Sequence, residues 1–150
     1  MEEIKVFRKG DLNKIESDLL PGSSDKGEGW IKRIIYPNKV NTKSVLFGIG
    51  EINPGYPYHR WHTHKSHKLE GYEVIYPENF EEVYYIVSGS GVIQYKTADG
   101  KVKEEKVSAG DTIFFPVGVA EHQLFNNGTE KMLLVFSGAP VAGLKVTLKK

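Results

Sequence analysis

There is no cysteine in this chain. That absence removes disulfides, thiolate metal ligands and a cysteine nucleophile together. A metal bound here must take nitrogen and oxygen ligands. No run approaches the ~20 consecutive apolar residues that a membrane-spanning helix needs. An excess of charge is also missing: 20 Lys and Arg stand against 19 Asp and Glu, a net charge of +1. No strong field would gather nucleic acid or an anionic membrane, so neither is expected as a partner. The first six residues are acidic and then alternate, without the apolar stretch of a signal peptide. The expectation is a cytoplasmic protein. Asn127-Gly128-Thr129 fits a glycosylation sequon, but without a secretory signal it reads as a turn.

Helical periodicity is scarce as well. Only residues 11–20 carry it: Asp11 can cap, and Leu12, Ile15 and Leu19 fall on one face. The rest of the 150 residues is short β-rich runs punctuated by Gly, Pro and Asn. Strands are expected at 4–8, 31–36, 44–53, 58–64, 81–87, 92–95, 102–107, 112–115, 121–125, 132–136 and 144–148. Residues 65–79, with Gly71 and Pro77, read as a loop or insert. Many short strands at close spacing predict an all-β sandwich or barrel in one domain.

Four of the five histidines, His59, His62, His64 and His67, lie within nine residues. In a strand, residues two apart share a face. His62 and His64 therefore point together, and His59 points away if the strand is regular. Glu82 opens the next strong strand, with Tyr84 and Ile86 on its face. Glu81 should turn outward. A hairpin is expected to bring Glu82 beside the histidine pair, and His122 can add a third nitrogen. Three imidazoles and a carboxylate suit Mn, Fe, Co, Ni or Zn. A surface His-rich loop that binds nothing specific is the plain alternative.

Glu82 is followed by six residues and Gly89; Gly110 by five residues and Pro116-Val117-Gly118; His122 by three residues and Asn126. With His62-x-His64 these segments resemble the two motifs of the cupin superfamily over about residues 44–138. Three spacings differ from its pattern. Six residues, not five, separate Gly55 from His62. Three, not two, separate Gly118 from His122. Seventeen separate His64 from Glu82, where three or four are usual. Single-residue changes can be absorbed by bulges, and long surface insertions cost little closure entropy. Glu70 and Glu73, inside the insert, lack the strand and Gly that follow Glu82.

The resemblance implies a double-stranded β-helix, or jelly-roll barrel, with a short N-terminal helix. It divides the chain into an N-terminal arm and outer strands (1–43), the barrel (44–138) and a C-terminal strand (139–150). It implies one divalent transition metal (Fe, Mn, Ni or Zn) held by His62, His64, Glu82 and His122. It also implies a homodimer, with Trp30 and the strand at 31–36 packing across it. Glu82 and Tyr84 are the candidate catalytic groups, Tyr84 as an acid behind the ligands. Tyr58, Arg60, Tyr72, Tyr76 and Phe114 are candidates for a substrate pocket, although strand aromatics usually fill cores. An exposed solvated Arg60 and an exposed His67 are the plainer expectations for those two. The expected activity is metal-dependent chemistry on a small polar molecule. It is either Fe-dependent dioxygenation or Lewis-acid isomerisation or lysis, as in a sugar-phosphate isomerase. The alternative is a non-catalytic binding or storage module for a sugar or small effector.

Overall fold

A computed structural model describes residues 3–15, 28–37, 39–69 and 72–148, and the side chains of all these except 69, 72 and 146–148. Eleven strands are found among them: β1 (Gly29–Ile35), β2 (Leu46–Ile52), β3 (His67–Leu69), β4 (Tyr72–Ile75), β5 (Glu81–Ser88), β6 (Ser90–Lys96), β7 (Val102–Ser108), β8 (Thr112–Phe115), β9 (His122–Phe125), β10 (Met132–Ala139) and β11 (Lys145–Leu148). They form an antiparallel five-stranded sheet, β1-β2-β10-β5-β8, and two three-stranded sheets, β7-β6-β9 and β11-β4-β3.

Alternation explains the main layers. In β10, Met132, Leu134 and Phe136 point inward and are buried, and Leu133, Val135 and Ser137 between them are half-buried. In β5, Tyr84 and Ile86 are buried while Val83, Tyr85 and Val87 are exposed. Against them the second sheet sets Ile93, Val107 and Leu124. Each such buried aliphatic side chain stabilises the fold by roughly 1.5–3 kcal/mol relative to exposure. Gly89, at the turn from β5 to β6, has φ +83, and a Cβ there would stand 2.6 Å from the Lys131 carbonyl oxygen. Only glycine tolerates both the left-handed backbone and that approach.

Several expectations are corrected. Residues 4–8 form no strand: all five are exposed, Ile4 by 94%, so the chain there buries no apolar face. The helix is short, α1 (Lys9–Leu12), and Asp11 lies inside it. Asp11 caps by reaching back to accept a hydrogen bond from the Arg8 N–H at 2.9 Å. The remainder of the expected helix, 16–20, lies outside the described residues. The insert is not a loop. Its β3 and β4 pair with each other, and β4 pairs with β11 from the far end of the chain. Among the described residues, no helix is long and apolar enough to cross a membrane.

Candidate metal centre

The segment carrying the histidine pair is a ragged extra edge on the β7-β6-β9 sheet. The Gly55 N–H donates to the Asn126 carbonyl and the Tyr58 N–H to that of Leu124. His62 and His122 exchange both backbone hydrogen bonds, at 3.1 and 3.0 Å. Pro57 faces Phe125, yet His62 faces His122, so four residues between them on one side oppose two on the other. This bulge accommodates the unusual Gly55–His62 spacing, as bulges generally do. It also ends regular alternation. His59 therefore does not turn away: its ring lies 5.0 Å from that of His62, and both line one cavity. Arg60 turns out instead and pairs with Glu28 at 3.1 Å. Trp61 lies under Lys96, whose ammonium stands 5.8 Å from the ring centre.

His62, His64 and His122 each present a ligand atom, and these atoms all lie within 4.8 Å of one another. Glu82 comes from β5 of the opposite sheet, so it meets the histidines across the barrel and not along a hairpin. Its Oε2 lies 3.1 Å from His64 Nε2, without hydrogen-bond geometry. Glu81 is exposed on the outer face.

Orientation is fixed in two ways. His62 Nδ1 lies 2.8 Å from the Arg60 carbonyl, and His122 Nδ1 lies 2.8 Å from that of Ala120. An N–H donated from each Nδ1 leaves Nε2 with a free lone pair, the arrangement usual for ligating histidines. His64 has no such carbonyl among the described residues. Tyr76 stacks on it at 5.5 Å, and Phe80 and Phe115 meet it edge-on. Phe115 also stacks on His122 at 4.6 Å. His67, expected exposed, is half-buried on the far side of Tyr76, with ring centres 6.3 Å apart.

Electrostatics favours neutral imidazoles. Burial pushes the His62 pKa well below its ordinary value, helped by the neighbouring histidines. His59 is lowered likewise, first by burial and then by Arg33. His122 falls to about 4, again from burial, which outweighs its bond to the Ala120 carbonyl. Neutral imidazole is the form that binds metal.

The other candidates scatter. Tyr84 is 2% exposed and packed between Tyr58 and Phe115; burial, then the charge of Glu82, raises its phenol well above the ordinary range. It lies behind Glu82 and is not among the residues lining the cavity shared by His59 and His62. Tyr58 is a core residue lying flat on β2, where a Cβ at Gly50 would approach its ring to 2.3 Å. Phe114 is 57% exposed beside Val83 on the edge strand, away from the histidines, and borders a second, larger cavity. The side chain of Tyr72, and Glu70 altogether, lie outside the described residues. Glu73 pairs with Lys68, away from the cluster. Tyr76 does line the cavity of about 40 Å³ beside His62 and Glu82, together with Arg33. Arg33 was not singled out by the sequence. Its one signal is its place two residues after buried Ile31, on an inward face, just before a bulge in β1.

Solved structures with this architecture span nearly the whole chain. A double-stranded β-helix protein from Klebsiella pneumoniae is 16% identical and covers 99% of both chains, with a TM-score of 0.59. A predicted oxalate decarboxylase from Thermotoga maritima is 22% identical over 90% of this chain and 98% of its own, at 0.61. The polyketide cyclase RemF from Streptomyces resistomycificus is 16% identical over 99% and 87%, also at 0.61. This chain has the cupin fold. No protein-family model and no curated protein matches it in sequence. The jelly-roll expectation is therefore met by the architecture, and this cupin barrel carries a histidine triad that can hold a metal.

Proposed function

We propose that this cupin is a metal-dependent enzyme acting on a small molecule by isomerase- or lyase-type chemistry. His62, His64, Glu82 and His122 would hold one divalent transition ion. One observation carries the reading: the Nε2 atoms of His64 and His122 are buried with no hydrogen-bond partner among the described residues, inside a cluster within 4.8 Å. Leaving such a group unsatisfied costs about 1–3 kcal/mol, which a coordinated ion would offset. Three nitrogens and a carboxylate fit that role.

A divalent ion would act as a Lewis acid on a substrate carbonyl or hydroxyl oxygen. The chain's own residues would do the rest. His59, neutral near pH 7 and not a ligand, can accept a proton at the cavity beside His62. Arg33, in the same cavity wall, gives positive charge where negative charge develops. Phe80 and Phe115 keep water from the inner faces of the ligands. Tyr84 stays protonated behind Glu82. The enzyme names of the Thermotoga and Streptomyces neighbours favour turnover over storage.

The test is metal analysis of protein purified without a His tag. About one equivalent of zinc, nickel or manganese, unchanged by air, is expected, and none after combined His62→Ala and His64→Ala. Iron that oxidises in air would instead favour the oxygenase reading. Less than about one-tenth of an equivalent, with no uptake on soaking, would sink the site. So would unchanged metal in the double variant, since two of four ligands are gone.

A further inference from the structure

A second, much larger cavity lies on the other side of His122. It is an open chamber of about 550 Å³ between β6, β7, the edge strand β8 and the Pro116–Ala120 turn. That volume is within the range of small-molecule pockets, roughly 300–1,000 Å³. Ile93, Val107, Ile113, Phe115 and Val119 supply apolar wall, and Ile93, Val107 and Phe115 belong to the buried core. No Lys or Arg lines it among the described residues. Its ionisable members are His122, at the metal cluster, and Tyr95 with Glu105, whose hydroxyl and carboxylate are joined at 2.7 Å.

We propose that this chamber seats an uncharged aromatic molecule bearing a hydroxyl or carbonyl oxygen. The argument is one of charge and area. Away from His122, a phosphate or carboxylate would meet no Lys or Arg and would face Glu105. Burying a charge without a partner is unfavourable by far more than an apolar contact returns. A flat ring between Ile93, Val107 and Val119 loses no such solvation. One oxygen on the ring would then be directed toward His122, and a ring hydroxyl at the rim could donate to Glu105. This substrate class rests on the metal reading only for the oxygen directed toward His122; the apolar seat stands without it. It narrows the small polar molecule expected from the sequence to an uncharged aromatic one.

The experiment is isothermal titration of the full chain, metal-free and metal-loaded, with 2-naphthol and separately with glucose 6-phosphate. Micromolar 2-naphthol binding to both forms is expected, with none for the phosphate. Val119→Trp should fill the chamber, weaken 2-naphthol at least 10-fold and leave metal content unchanged. Ile113→Phe serves the same purpose if the Trp variant does not fold. Millimolar or absent 2-naphthol binding overturns the proposal. So does equal binding in a folded chamber variant, which would place the probe on the outer apolar face, or tighter binding of glucose 6-phosphate. Protein that binds 2-naphthol but no metal keeps the chamber and loses the metal reading; metal without 2-naphthol does the reverse.

Discussion

Replacing Asn126 should unfasten the strand pairing that holds two of the three histidines together. Asn126 is fully buried. Its Nδ2 donates to the Ile52 carbonyl at 2.9 Å and to the Glu130 carbonyl at 2.8 Å, and its Oδ1 accepts from the Gly128 N–H at 3.0 Å. Its own backbone closes the ladder with Tyr56 and Gly55 that continues to His62 and His122. Asn126→Ala deletes all three side-chain bonds and leaves two carbonyls and an N–H without them. At about 1 kcal/mol per bond the loss is on the order of 3 kcal/mol. For a domain of this size that is a fall in Tm of roughly 6–12 °C. Asn126→Asp should cost more, because a carboxylate cannot donate to either carbonyl and repels both. The assay is reversible thermal unfolding of metal-free protein by circular dichroism, with exposed Asn127→Ala as the control. The control should stay within about 0.5 kcal/mol of the parent. A fall of less than about 2 °C for Asn126→Ala, or an Asp variant as stable as the parent, would refute the reasoning.

Other outcomes follow from the same geometry. Tyr76→Ala removes the ring stacked on His64 and should weaken metal affinity about 3- to 10-fold, the equivalent of one aromatic pair, measured by competition with a chelator. Gly89→Ala forces a Cβ against the Lys131 carbonyl and should lower the urea midpoint by an amount corresponding to about 1–3 kcal/mol. Metal-free protein should lose stability as pH falls from about 6.5 toward 4. The unfolded chain takes up protons near pH 6.5, whereas His122 in the folded chain does so only near 4, and His59 and His62 act in the same direction. A flat stability profile over that range would contradict their burial as neutral groups.

The barrel was legible because its strands alternate and its turns are marked. β5 and β10 interleave core and surface residues so regularly that their faces can be read without coordinates. β3 and β4 were not legible. His67, Lys68 and Glu73 give no alternation of apolar and polar, and the partner that makes β4 a strand, β11, lies some seventy residues away. The ligand set could be anticipated as a composition, but its assembly could not. Spacing suggested a hairpin between His64 and Glu82, whereas the two meet from opposite sheets. His59 turned inward at one bulge, against its expected direction, and bulges leave little trace in a single sequence. Arg33 sat in a run of Ile and Lys where nothing but its phase distinguished it.

The β11-β4-β3 sheet has a consequence for how this protein can change. Tyr76 directly follows β4 and Leu144 directly precedes β11, and both border the cavity at Glu82. The rim is thus shaped by a peripheral sheet that contributes no strand to the two sheets bearing the ligands. Substitutions there can reshape access to the site without disturbing the residues proposed to hold an ion. Selection in the laboratory for a new ligand would do well to randomise 72–76 together with 144–148, two segments that are distant in sequence and act as a single adjustable part.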